Sequence, residues 1–323
     1  MKLAIYGYGN LGRGVELAAK RNKNISLTGI FTRRQPSRIH SSTAAAVFAA
    51  EDLTRFVDDI DVVAVCGGSA TDLPKMTPVL AEKFNVIDSF DTHAAIPGHF
   101  AAVDAAARAG GHAAMISVGW DPGLFSLSRL FGDAFLPDGR SYTFWGKGVS
   151  QGHSDAIRRI EGVKDARQYT VPVDGVLEKI RNGQTPDLTP EQMHTRQCYV
   201  VAAPGADKSR IEKKIRSMPD YFEGYETAVN FISGEEMETK HSGLPHGGTV
   251  IRTGKTGNGN RHTVSFSLSL DSNPEFTGSV IVAYAEALYR MYTEGIRGCK
   301  TVFDVPPSYL IGLDENELRK RFL

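Results

Sequence analysis

The chain has 323 residues, with Lys plus Arg and Asp plus Glu both at 37, so its formal net charge is zero. That balance lacks the basic surplus of a nucleic-acid-binding or anionic-membrane-binding protein, and 41% hydrophobic with 23% charged residues is an ordinary globular make-up. The length favours two domains, and Cys66, Cys198 and Cys299 lie far apart without C-x-x-C spacing, which excludes a disulfide framework or a zinc site and suits a reducing cytoplasm.

The first residues read as a strand and not as a signal peptide. No apolar run approaches the ~20 residues of a membrane span. A cytoplasmic protein with no membrane and no nucleic-acid partner is therefore expected. Lys2 to Tyr6 is a short apolar run, Gly7-Tyr8-Gly9-Asn10-Leu11-Gly12 is a G-x-G-x-x-G set, and Val15 to Lys20 can turn helical. Strand, glycine turn and helix in this order form the dinucleotide-binding fingerprint: tight turn, backbone approach to a pyrophosphate, close helix–strand packing. The helix N-terminus brings partial positive charge to the phosphates. Ile25 to Thr32 reads as the second strand. About 20 residues past the fingerprint an NAD-binding fold places an acidic residue on the ribose; here stand Thr32, Arg33 and Arg34. Two guanidiniums suit a 2′-phosphate, so NADP is expected over NAD.

Ser37 to Phe56 shows little pattern. Ile60 to Cys66 is an apolar strand of the buried parallel type. Gly67-Gly68-Ser69-Ala70-Thr71-Asp72 follows it. That loop reads either as a second cofactor loop, with Cys66, Gly67, Ser69, Ala70, Thr71 and Asp72 against the cofactor, or as a plain turn with Asp72 capping the next helix. Pro74 to Lys83 is helical, Asn85 to Asp88 a strand, and Ser89 to His93 its exit loop. Phe100 to Ala109 is an Ala-rich helix. Ala113 to Val118 is a strand that ends in Gly119-Trp120-Asp121-Pro122-Gly123. This alternation over 1–118 is a Rossmann-type doubly wound α/β domain. Beyond it the rhythm becomes α+β with a mainly antiparallel sheet: strands over Ser141 to Trp145, Ala166 to Val171, Thr195 to Val201, Tyr225 to Ile232 and His262 to Leu270, helices over Leu124 to Phe135, Gly175 to Arg181 and Ser209 to Arg216. Gly146 to Asp155 is read as a Gly-rich loop, Ser233 to Lys240 as a solvated charged segment, and Gly243 to Gly259 as a mobile hairpin or lid. Phe276 to Thr293 is a long helix.

Ligands of an open α/β sheet lie at the C-terminal strand ends. Asp91 and Asp121 both stand there, and two carboxylates would bind a substrate cation or take its proton. Each alone also suits a turn or a cap. Trp120 and Trp145 read as packing or as a wall over an aliphatic substrate. His153, His194 and His246 lack a metal spacing, so no metal is expected, and there is no G-x-S-x-G elbow. Hydride transfer remains, with the cofactor carrying the chemistry.

The blocks YGNLGRG (8–14), FTRR (31–34), GSATD (68–72), DTH (91–93), GWDPG (119–123), TFWGKGVSQGHSDA (143–156), RQC (196–198), MPDYF (218–222) and PHGG (245–248) together resemble the NADP-dependent meso-diaminopimelate D-dehydrogenase family nearly end to end. The resemblance implies oxidation of the D-centre of meso-2,6-diaminopimelate to an imine, hydrolysed to L-2-amino-6-oxopimelate and ammonium, reversibly, in lysine and cell-wall precursor metabolism. It implies a D-centre pocket of Asp91, Trp120, Asp121, Trp145, Gln151, Gly152 and His153, and a distal pocket of Thr170, Arg196, His246 and Asn273. Asp91 or Asp121 would accept the proton. To the fingerprint, the 32–34 turn and the 66–72 loop it adds His93, Asp121, Pro122 and Gly123 against the cofactor. It implies a homodimer with a dinucleotide domain over 1–118, a dimerisation region over 119–150 and about 271–294, a substrate domain over 151–270, and a C-terminal segment, about 295–323, packed on the first domain. The rivals are an NADP dehydrogenase for a short D-amino acid or cyclic imine, and a non-catalytic NADPH sensor.

Overall fold

The computed structural model describes residues 1–323. The chain divides into two compact units, 1–127 with 274–323, and 128–273. No helix is long and apolar enough to cross a membrane.

The first unit is built on seven parallel strands. The first six in chain order are β1 Lys2–Tyr6, β2 Ser26–Thr32, β3 Val47–Ala49, β4 Val62–Val65, β5 Val86–Asp88 and β6 Ala113–Met115. Spatially they run β6-β5-β4-β1-β2-β3, and the short strand Gly298–Lys300 pairs with β6 at the far edge. Leu3, Ile5, Val62, Ala64 and Ile87 pack on one sheet face, and Ala4, Val63, Val65 and Val86 on the other; all nine are buried. Apolar side chains on both faces are what a parallel strand covered by helices requires. The first face receives the helix Asn273–Thr293 through Ile281, Tyr284, Ala285 and Leu288. That helix crosses the one over Asn10–Arg21 backbone against backbone: a Cβ at Gly14 would run into Pro274 O, and one at Gly278 into the Gly14 carbonyl carbon.

The second unit holds two sheets where a single, mainly antiparallel one is expected. β7 Gly139–Trp145, β12 His246–Lys255 and β13 Arg261–Leu270 form an antiparallel sheet with β12 in the middle. β8 Gly148–Val149, β9 Val163–Pro172, β10 His194–Ala202 and β11 Thr227–Phe231 form the other, and there β10 and β11 run parallel. Three segments differ from the sequence reading. Residues 246–255 form a largely buried central strand, so the segment expected as a mobile hairpin or lid is a hairpin whose first arm is sheet interior. Gln151–Arg158 is a helix, because Ser150 caps it by accepting the His153 N–H. Gly234–Lys240 is also a helix, capped in the same way by Ser233.

Candidate active site

In the first unit every parallel strand points its C-terminal end to one edge, so the loops after Tyr6, Thr32, Val65, Asp88 and Met115 gather there. The glycine turn fits a dinucleotide phosphate. Gly7 has φ +98°, and a Cβ on it would meet Cys66 O at 2.8 Å; a Cβ on Gly12 would run into Gly7 O. Around Gly9 there is open space. Gly9 is also the N-cap of the following helix and supplies no side-chain cap, and a helix N-terminus suits an anion. Leu11 packs on the core. The Tyr8 ring is buried as well, with its hydroxyl on the buried Glu16 carboxylate, so what Tyr8 offers the turn is backbone. Glu16 also receives Thr43 N–H at 2.8 Å and Ser41 Oγ. Burial pushes its carboxyl up, but hydrogen bonds from Ser41, Tyr8 and Thr43 outweigh burial and hold it below the usual carboxylate range.

Arg33 and Arg34 are exposed and both are tied to this edge. Arg33 pairs with Asp72 at 3.0 Å, and Arg34 donates to Tyr8 O. Thr32 Oγ1 accepts from Arg34 N–H at 3.1 Å. Asp72 stands at the start of the next helix, yet its side chain makes no cap there. It turns back to accept from Gly68 N–H at 3.0 Å, which together with Arg33 lowers its pKa. The 66–72 loop is thereby closed on itself and joined to the 32–34 turn. Ser69 Oγ accepts from Asp91 N–H at 2.8 Å, which links that loop to the next one. Asp91, Thr92 and His93 are exposed. Trp120 is buried and meets Phe125 edge-on at 5.2 Å, and Trp120 and Gly123 bridge across the Asp121-Pro122 turn. Cys66 is buried and its thiol is pushed up to about 12 by burial, with the Asp88 charge adding to it, so it is no reactive thiolate.

In the second unit, strand register brings part of the expected distal set together. Gly148, Thr170, Arg196 and Thr227 lie side by side across β8, β9, β10 and β11. Arg196 is buried, donates to Thr170 Oγ1 at 2.5 Å, and lies over the Tyr225 ring at 4.0 Å. Burial lowers its pKa, and Tyr225 opposes the shift. Tyr225 was not legible as a partner in the sequence, since only the parallel pairing of β10 and β11 sets it there. His246 packs its ring against Gly148, and Asn273 N–H donates to Leu244 O at 2.9 Å, so both sit near this row. Trp145 N–H donates to His194 Nε2 at 2.9 Å, and His194 Nδ1 lies 3.1 Å from Pro190 O. A neutral His194 satisfies both contacts, and burial pushes it down to about 4. Gln151 and Gly152 are exposed at the start of their helix. His153 Nδ1 meets Ser150 Oγ at 2.7 Å, while burial, assisted by the Arg196 charge, pushes His153 down to about 4. Gln168 Oε1 and Arg196 Nε are buried without a protein partner. Buried polar atoms are normally paired, so two orphans in one sheet leave hydrogen-bonding capacity that a polar ligand could use.

Residues 119–272 match the diaminopimelic acid dehydrogenase C-terminal domain. The meso-diaminopimelate D-dehydrogenase of Acetivibrio thermocellus is 54% identical over 326 residues, covering 100% of this chain and 98% of that one. A meso-DAP dehydrogenase from Clostridium tetani carrying six substitutions, solved with DAP, superposes with a TM-score of 0.95 at 48% identity, over 100% of this chain and 99% of the other. An engineered D-amino acid dehydrogenase bound to NADP+ gives 0.89 at 44% identity, with the same coverage. Fold, edge geometry and end-to-end identity agree, and the chain belongs to the meso-diaminopimelate D-dehydrogenase family.

Proposed function

We propose that the chain catalyses the NADP-dependent, reversible oxidative deamination of the D-centre of meso-2,6-diaminopimelate to L-2-amino-6-oxopimelate and ammonium. The observation that carries this is the 54% identity over the whole chain to a meso-diaminopimelate D-dehydrogenase. The NADP+-bound relative and the paired arginines after β2 support the cofactor. Bound nicotinamide supplies a two-electron acceptor for the hydride on the D-carbon. The glycine turn, the 32–34 turn with Arg33 and Arg34, and the 66–72 loop hold the cofactor; His93 and the Asp121-Pro122-Gly123 turn border it.

The chain's own residues do the rest. Asp91 and Asp121 pair with the D-ammonium, and one of them takes a proton from it, since a protonated amine has no lone pair to form the C=N bond. Trp120 walls the carbon skeleton, and Trp145, Gln151, Gly152 and His153 complete the D-centre set. The imine then adds water and expels ammonium. Arg196, held by Thr170 and stacked on Tyr225, clamps the distal carboxylate, with His246 and Asn273 adding hydrogen bonds. Affinity for the far end thus orients the reacting carbon. Three buried, unpaired cysteines suit a cytoplasmic enzyme, and the family resemblance supports a homodimer.

Nicotinamide reduction measured with meso-, L,L- and D,D-diaminopimelate and NADP tests the reading. Turnover is expected with the meso form and not with L,L. Turnover of D-alanine without the meso form would instead identify a dehydrogenase of short D-amino acids, and tight NADP binding without any turnover a sensor. Asp91→Asn and Asp121→Asn are expected to cut kcat, and the one that flattens the pH profile is the proton acceptor.

A further inference from the structure

Asp88 closes β5 and is fully buried beneath the two loops that carry Asp91 and Asp121. The reaction as assigned above gives neither Asp88 nor its partner His99 a role. Asp88 Oδ1 accepts from Phe90 N–H at 3.0 Å and from Ser117 N–H at 3.1 Å. Oδ2 accepts from the Thr77 hydroxyl at 2.8 Å and lies 2.7 Å from His99 Nε2. The Asp88 backbone carbonyl takes Val118 N–H at 2.9 Å. One residue therefore holds the backbone of both loops. Phe90 immediately precedes Asp91, and Ser117 leads into Gly119-Trp120-Asp121.

Two observations show that this is more than a satisfied core carboxylate. Ser117 has φ +58°, a left-handed conformation that is costly for a residue with a side chain and persists only where its surroundings hold it. Asp88 holds it, through the Ser117 N–H. The His99 ring also lies against Phe90, with centroids 4.3 Å apart, so His99 fixes Phe90 directly and again through Asp88. A buried hydrogen-bonded polar pair adds little net stability beyond satisfying its own groups. What four directed donors on one carboxylate provide is geometry.

We infer that Asp88 and His99 are positioning residues for the reaction, together setting the spacing and aim of the Asp91 and Asp121 loops. The inference rests on the function proposed above, in which those two carboxylates meet the D-ammonium.

The test uses two variants of the full chain. His99→Phe keeps a ring against Phe90 and removes the donor; His99→Gln keeps a donor and removes the ring. In His99→Phe the amide resonances of Phe90, Asp91, Ser117 and Asp121 are expected to shift or broaden, while those of Gly7, Gly9 and Gly12 hold. With the meso substrate, kcat should fall about tenfold or more, as for a small misplacement of reacting groups. The primary isotope effect with D-centre-deuterated substrate should grow, the NADP Kd should stay that of the wild type, and His99→Gln should recover most of kcat. Loop amides that do not move, or an unchanged kcat well below the melting temperature, overturn the inference. A wild type that oxidises no meso-diaminopimelate sinks the proposed function instead, and the amide spectra still decide whether His99 sets the loops.

Discussion

Arg33 and Arg34 sit in the same turn and are committed to different partners. Arg33 faces the Asp72 carboxylate, so a 2′-phosphate must share it with an anion already in place, whereas Arg34 spends one donor on the Tyr8 carbonyl. Replacing them together, Arg33→Asp with Arg34→Ser, should lower the NADP-to-NAD ratio of kcat/KM by about a hundredfold, the scale of one or two charge-assisted hydrogen bonds. An unchanged ratio would refute the assignment. If Arg196 clamps the distal carboxylate as proposed, Arg196→Met should raise KM for meso-diaminopimelate and cut kcat/KM by about tenfold to a hundredfold, with the NADP Kd unaltered. A role for Arg33 could be proposed from the sequence because it rests on distance along the chain from the fingerprint. Asp88, His99 and Tyr225 offered no such reading, because each acquires its role from a partner on another element. In sequence they stand at an ordinary strand end, just before an Ala-rich helix and at the start of a strand.

Helices and strands raise a second group of expectations. The crossing at Gly14 and Gly278 leaves no room for a methyl group, so Gly14→Ala or Gly278→Ala should destabilise the first unit by roughly 2 kcal/mol or more. A lowered Tm that NADP only partly restores would show it. The His153 helix and the start of β10 make stability depend on pH. His153 and His194 are both pushed down to about 4 by burial, against an ordinary 6.5. Between those values the unfolded chain binds the two protons and the folded chain does not. The stability held by their neutral forms is therefore whole above pH ~6.5 and lost as pH falls toward about 4, by up to ~3 kcal/mol per histidine. Urea titrations at about pH 7.5 and about pH 5 check this, and His153→Asn should lose less on acidification than the wild type. Most elements could be read from apolar runs and turn residues. Residues 151–158 could not, because Gly152 obscures a helix whose signal is the Ser150 cap. Gly298–Lys300 could not either, since three residues without alternation are a strand only where β6 offers an edge.

At the scale of the molecule, the nucleotide-binding unit is discontinuous, interrupted by 128–273. Its doubly wound topology was legible in the first 118 residues, but its completion lies in Asn273–Thr293, which covers one sheet face, and in Gly298–Lys300, which extends the sheet past β6. Deleting 294–323 should expose the β6 edge and strip Cys299 and Val302 from the two cores. The expected outcome is aggregation or a non-cooperative melt, measured by light scattering and calorimetry, while the second unit keeps its own fold. The same interruption sets an order of events on the ribosome. The glycine turn and β1 to β6 emerge before the intervening unit, yet the helix and strand that seal their sheet are translated after it. The intervening unit, contiguous from 128 to 273, is complete before them. Newly made chains must therefore carry one uncovered, sticky sheet face while the whole of 128–273 is made, which exposes this unit to misassembly until the later helix arrives.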